Sequence, residues 1–215
     1  MVVKHSTVAD ETYETLKKQI LTGHYAPGTR LQLEAVSKEL GVSPTPLREA
    51  FLRLEKEGIL EIISRRGTYV RLLNRDAIKQ FYEIREVLEG LSASLASSNN
   101  SASDIAELKA INEEFRKALE AKDIEAALDV DIRFHNLISE LSRNDKLKEV
   151  INNFLFTNLF NNAGISSVFL EKGAVTHAGH EAIIGALERG DSAGAEAIMR
   201  EQIRHGKEIL LSVFD

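Results

Sequence analysis

Apolar and polar positions along this chain follow two different periods. Apolar residues return every three to four places over 9–23, 32–40, 44–57, 75–98, 104–121, 123–142, 145–162, 174–189 and 191–213, and each stretch predicts a helix. One segment departs from that rhythm. ILEIISRRGTYVRLL is two β-rich runs around SRRG, which predicts a hairpin with its bend near Gly67. Gly23 with the APG turn, then Gly41 and Gly58, end the first three helices. SSNNSASD, AKD, SRND, GISS and RGD supply cap and turn chemistry between the others. All three prolines, Pro27, Pro44 and Pro46, fall in the first 46 residues, where elements are short. The pattern predicts a mainly α protein in two modules: helices and a hairpin over 1–73, and an all-helical bundle over 74–215.

The stretch GVSPTPLREAF places two prolines at the mouth of a helix. Ser43 is a natural N-cap, which makes Pro44 N1 and Pro46 N3. First-turn N–H groups have no partner inside a helix, so proline costs little there. Pro46 also removes the N–H that a capping box would use. The helix mouth is stiff and poor in backbone donors, leaving Thr45, Arg48 and Glu49 to make contacts. Leu47, Ala50, Phe51 and Leu54 supply the packed face. A helix, a short turn at Gly41-Val42 and a rigid second helix describe a helix-turn-helix, whose second helix enters the major groove. Arg48 has the reach for a bidentate contact to guanine. Its alternative is a surface residue balanced by neighbouring glutamates. Arg65 and Arg66 at the hairpin tip favour the first reading, because a wing there meets phosphates or a minor groove.

Charge agrees with two modules. Lys and Arg number 12 against 9 Asp and Glu from Met1 to Arg75, and 15 against 24 from Asp76 onward, within a chain of net charge −6. The halves differ in sign, which suggests different partners. With no cysteine, disulfides and thiolate zinc sites are excluded. No apolar run approaches a membrane span, and MVVKHSTVADETYETLKK turns charged too soon for a signal-peptide core. A cytoplasmic protein is expected.

ELGVSPTPLREAFLRLEKEGILEIISRRGTYV is similar, nearly throughout, to the winged helix-turn-helix signature of GntR-type transcription regulators, over roughly residues 10–72. The resemblance implies DNA contacts from Ser43, Thr45 and Arg48, and from Arg66 and Gly67 in the wing, beside Arg65. Two places depart from the family pattern. Pro44 stands where arginine is usual, and Leu33 and Glu34 stand where a polar or basic contact is common.

In the second module, polar residues interrupt the apolar stripes. Asp131 and His135 fall one turn apart among Ile124, Leu128 and Ile138, flanked by Ala127 and Ile132. His180 falls among Ile183, Ile184 and Leu187, Gln202 among Ala195, Ile198, Ile209 and Val213, and Asn158 among Leu147, Ile151, Phe154 and Leu155. Burying such groups unpaired is costly, so they should meet one another, a ligand or a metal. Imidazole with carboxylate suits a divalent transition ion, and a hydrogen-bonded Asp–His core pair without metal is the alternative. DIRFHNLI and GHEAIIGALERGDSAGAEAIMREQI resemble the FCD ligand-binding domain of the FadR branch of that family, over roughly 76–213. The resemblance implies a divalent metal, zinc, nickel or manganese, on Asp131, His135, His180 and position 202. That last position holds Gln, a neutral and weaker donor, where the family has His. His177 and His205 lie one turn away, off the centre of their stripes.

Arg85 borders the stripe of Phe81, Ile84, Leu88 and Leu95. The resemblance places it near an effector cavity, where a guanidinium can clamp a carboxylate; a surface pair with Glu89 or Glu86 is the alternative. Asn158 and Asn162 are further candidate pocket donors. The function expected is a homodimeric regulator that binds double-stranded operator DNA under control of a small organic-acid effector. A purely structural bundle is the first alternative. A metal-dependent enzyme is the second, against which the stripes show no spare carboxylate to serve as general base.

Overall fold

The computed structural model describes residues 7–21, 23–71, 75–154 and 165–212, which fall into two compact units, 7–71 and 75–212.

In the first unit, α1 (Val8–Leu21), β1 (Arg30–Leu31), α2 (Leu33–Leu40), α3 (Pro44–Lys56), β2 (Leu60–Ile63) and β3 (Gly67–Val70) follow in order. Thr7 and Asp10 cap α1 reciprocally, each backbone N–H donating to the other's side-chain oxygen at 3.1 Å. Asp10 also accepts from Arg53 Nη1 at 2.7 Å, and the Arg53 guanidinium lies 3.9 Å from the centre of the Tyr13 ring, so α1 and α3 are tied by charge and by cation–π contact. Gly41 closes α2 in the left-handed region (φ 66°) with its N–H on the Ser37 carbonyl. The α3 face is the expected one: Leu47, Ala50, Phe51 and Leu54 are buried with Leu16, Ile20, Ile59 and Leu60.

The hairpin strands β2 and β3 belong to a three-stranded antiparallel sheet in the order β1-β3-β2, with β3 central. Strand β1 was not expected, because two residues, Arg30 and Leu31, are too few to display a period of two. The bend is Ser64-Arg65-Arg66, and Gly67 opens β3 opposite Ile63. Gly67 is required there: its φ is 118°, and a Cβ would stand 3.0 Å from Arg30 Nε.

The second unit is helical throughout its described residues: α4 (Arg75–Asn99), α5 (Ala102–Glu120), α6 (Ile124–Leu141), α7 (Asp145–Phe154), α8 (Ile165–Glu188) and α9 (Ser192–Leu211). Ser101 and Asp104 form a capping box on α5, while Asp123 and Asp191 cap α6 and α9. Phe115, Phe134, Leu108 and Ile138 are fully buried at its centre. Small residues bring helices close: a Cβ at Gly173 would fall 2.4 Å from Leu119 on α5, and one at Gly206 would fall 3.3 Å from Tyr82 on α4.

Two expectations change. Helix α8 begins at Ile165, nine residues before the expected 174; ISSVFLEKGAVTH carries serine, glycine and β-branched residues of low helix propensity, so its sequence gives little sign of a helix. On α4, Phe81, Leu88 and Leu95 pack against Leu147 and Ile151, but Ile84 is 45% exposed and does not belong to the core. Positions 155–162 of the helix expected over 145–162 lie outside the described residues.

Leu54→Ala should remove about 2–5 kcal/mol from the denaturant transition of the first unit, since a wholly buried leucine leaves a cavity. The Thr7 hydroxyl and backbone N–H, and after them Arg53, hold the Asp10 carboxyl down to about 2. Its contribution to stability is therefore present above the ordinary carboxylate range and fades as pH falls toward 2. Asp10→Asn should be less stable than wild type at neutral pH and should lose less on acidification from about pH 5 to 2, as thermal melts across that range will measure.

Candidate functional site

Helix α6 turns Asp131 and His135 to one face, one turn apart, and α8 brings His180 to meet them. One ligand atom from each of the three lies within 4.8 Å of the others. All three are buried, His180 completely. Phe134 stacks on the His180 ring at 3.9 Å between centres and Phe115 stands 5.3 Å away, so the site has aromatic walls.

The His180 tautomer follows from its neighbours. Asn112 Nδ2 donates to the His177 carbonyl at 3.4 Å, which leaves Asn112 Oδ1 to accept from His180 Nδ1 at 3.0 Å. His180 Nε2 is then a bare lone pair. It faces Asp131 Oδ1 at 3.3 Å, and neither atom has an aligned hydrogen-bond partner among the described residues. Two acceptors face each other in a buried site. Burial pushes the His180 imidazole below its ordinary value, with Asp131 opposing. Burial alone would raise the Asp131 carboxyl, but His180, His135 and Arg85 hold it below the ordinary range.

On α4, Arg85 Nε donates to Glu89 Oε1, and Glu89 Oε2 lies 2.6 Å from His135 Nδ1, out of line for a good hydrogen bond. Both side chains are buried, 7% and 3% exposed. Arg85 is thus paired with Glu89, as one sequence alternative had it, but inside the bundle and not on its surface. Sequence reasoning named Glu89 only as a surface partner for Arg85 and missed its place at the cluster. It is a second buried carboxylate at the cluster, already engaged by Arg85. The available signal was its place four residues after Arg85 on an inward face. Burial would raise its carboxyl; Arg85, and then His135, hold it down to about 2. Tyr82 lies beside Arg85, its ring centre 5.3 Å from the guanidinium, and burial pushes its hydroxyl up to about 12.

Gln202 on α9 lies against Gly179, the residue before His180, and both of its amide atoms are buried without a partner among the described residues. His205 Nε2 is in the same condition one turn on, so His205 is more inward than its place on the wheel suggested. Asn112, also missed, sits on α5 among apolar neighbours. Asn158 and Asn162 lie outside the described residues. An open groove of about 360 Å³ between α5 and α8 is lined by Asn112, His177, Arg116 and Glu181.

In the first unit, Ser43 caps α3 with extended backbone and no side-chain cap bond, so its hydroxyl is not spent on the helix. Ser43, Thr45 and Arg48 are exposed together over the first turns of α3, and Arg65 and Arg66 are exposed at the hairpin tip. Gly67 is half-buried and has its place for backbone reasons. No helix among the described residues is long and apolar enough to cross a membrane.

Residues 8–70 match the model of bacterial regulatory proteins of the gntR family, and residues 80–205 match the FCD domain. The HTH-type transcriptional repressor RspR of Escherichia coli is 27% identical over 212 residues, 96% of this chain and 89% of RspR. The HTH-type transcriptional regulator YdhC of Bacillus subtilis is 33% identical over 141 residues, 65% of this chain and 62% of YdhC. Among solved structures, McbR/YncC of Escherichia coli superposes with a TM-score of 0.84 at 25% identity over the whole of both chains. A proline-stiffened helix beside a basic wing, joined in one chain to a helical unit with buried Asp and His, together with these matches, makes this protein a gntR-family, DNA-binding transcription regulator with an FCD domain.

Proposed function

We propose that the FCD unit binds a small organic acid on a divalent ion and that occupancy changes operator affinity. One observation carries this reading: a carboxylate oxygen and an imidazole lone pair, two acceptors, face each other at 3.3 Å inside the bundle. A bundle that served only to join two copies would have no reason to keep such a pair, since burying unpartnered polar groups is destabilising.

The donor set fits a divalent ion. Asp131, His135 and His180 would hold it, with Gln202 as a neutral fourth donor; zinc, nickel and manganese all accept imidazole with oxygen. When bound, the ion supplies Lewis acidity toward a carboxylate oxygen. Charge favours an acid as well. Arg85 against Glu89 and Asp131, with neutral imidazoles, leaves the pocket one negative charge, and a divalent ion turns that to one positive. An anionic effector then neutralises the site. The groove beside Asn112 is a candidate approach. Glu89 is held by Arg85 and His135, which makes it a poor general base and favours binding over catalysis.

On the DNA side, Ser43, Thr45 and Arg48 reach base edges and backbone from the mouth of α3, and Arg65, Arg66 and the Gly67 backbone follow the phosphates from the wing. Paired half-sites call for a homodimer, and the reading places the protein with its operator in the cytoplasm.

Metal analysis after mild purification should find near-stoichiometric zinc, nickel or manganese, strongly reduced in Asp131→Ala. Mobility-shift titrations with and without a panel of small carboxylic acids should separate for at least one acid; identical curves for all would sink the effector part. Arg48→Ala should cost about 1–3 kcal/mol of operator binding and relax preference at one base pair. Arg66→Ala should weaken all sequences alike and reduce the slope of affinity against salt by about one.

A further inference from the structure

We propose that Glu89 is a positioning residue for the buried ion: pinned by Arg85, it fixes His135 through Nδ1, aims the other ring nitrogen at Asp131 and His180, and lends the site the negative charge that Gln202 lacks. This rests on the reading that the pocket holds a divalent ion.

The geometry separates Glu89 from the ligands. Although it is a carboxylate at the heart of the unit, it does not join the set whose atoms lie within 4.8 Å of one another. Its Oε2 instead lies 2.6 Å from His135 Nδ1, and its Oε1 takes Arg85 Nε. One carboxylate therefore lies between a guanidinium and an imidazole, close to both though out of line for a hydrogen bond to Nδ1. Arg85 and Glu89 are one turn apart on α4, so the helix itself sets their spacing. A carboxylate accepts only, so a proton on His135 Nδ1 suits Glu89, and a ligating His135 then offers Nε2. That is the tautomer a ligand needs.

His180 is fixed differently. Its Nδ1 meets the neutral amide oxygen of Asn112 at 3.0 Å. The two imidazoles are thus held by unlike partners, and the charged one stands behind His135. A carboxylate behind a ligating imidazole raises its basicity, and removing such a partner typically costs 10–100-fold in metal affinity. In this chain the effect offsets a fourth position whose amide carries no charge. Arg85 keeps the carboxylate in place and ionised, which makes it part of the same device.

A purely structural role, in which Glu89 only neutralises Arg85, makes a different forecast. The paired variant Arg85→Gln with Glu89→Gln removes both charges and leaves shape and hydrogen-bonding groups, so the unit should keep its fold as judged by far-ultraviolet circular dichroism. Zn²⁺ affinity, by competition with a chromogenic chelator, should fall 10–100-fold in that variant and in Glu89→Gln. The visible spectrum of bound Co²⁺ should shift in both. Glu83→Gln, an exposed glutamate on the same helix, should leave both readouts unchanged. A folded paired variant that binds Zn²⁺ within twofold of wild type overturns this inference alone. Wild-type protein that binds no Zn²⁺ overturns the metal reading and this inference with it. Independently of any variant, nitrogen-15 shifts in the metal-free protein should show His135 protonated on Nδ1. Protonation on Nε2 would overturn the proposal.

Discussion

The FCD unit is organised around charge that an apolar interior cannot leave alone. Asp131, Glu89 and Arg85 are ionised groups among phenylalanines and aliphatic side chains, and desolvation acts against every one of them. Arg85 offsets one carboxylate through a direct pair on its own helix. The second carboxylate faces imidazoles, one of which presents a lone pair. The logic of the arrangement is electrostatic before it is chemical.

That constraint selects the surrounding helices. Helix α6 must expose Asp131 and His135 on one face while burying Phe134 on another, and α8 must lay His180 flat on that same Phe134 ring. Glycines at 179 and 206 allow α9 to approach, which sets Gln202 over the residue before His180 and puts the helix against Tyr82. The polar cluster and the tight packing are therefore one feature, since each polar contact needs backbones closer than larger residues permit.

The first unit obeys a different constraint. A helix meant to meet a nucleic acid must leave its first turn uncovered and still be firm. Pro44 and Pro46 provide the firmness without using donors, and the buried face of Leu47, Phe51 and Leu54 anchors the rest. Asp10, Arg53 and Tyr13 add a polar clasp between α1 and α3 that leaves the recognition face free.

Much of this was legible in residue order. Helical period, proline placement and glycine punctuation located the helices and the hairpin, and interruption of the apolar stripes by Asp131, His135, His180 and Gln202 singled out the cluster. These are local signals, written in spacing along one chain. What spacing does not carry is which residues of different helices come together. Strand β1 exists because β3 lies beside it, α8 extends to Ile165 through a stretch of weak propensity, and Ile84 is exposed although it continues an apolar stripe. Glu89 and Asn112 looked like ordinary helix-surface or filler residues until the packing of α4 and α5 set them behind two imidazoles. Residue order alone determined that polar groups must be buried in this bundle; only the tertiary structure decided which of them face one another, because partnership across helices depends on distances that sequence separation does not fix.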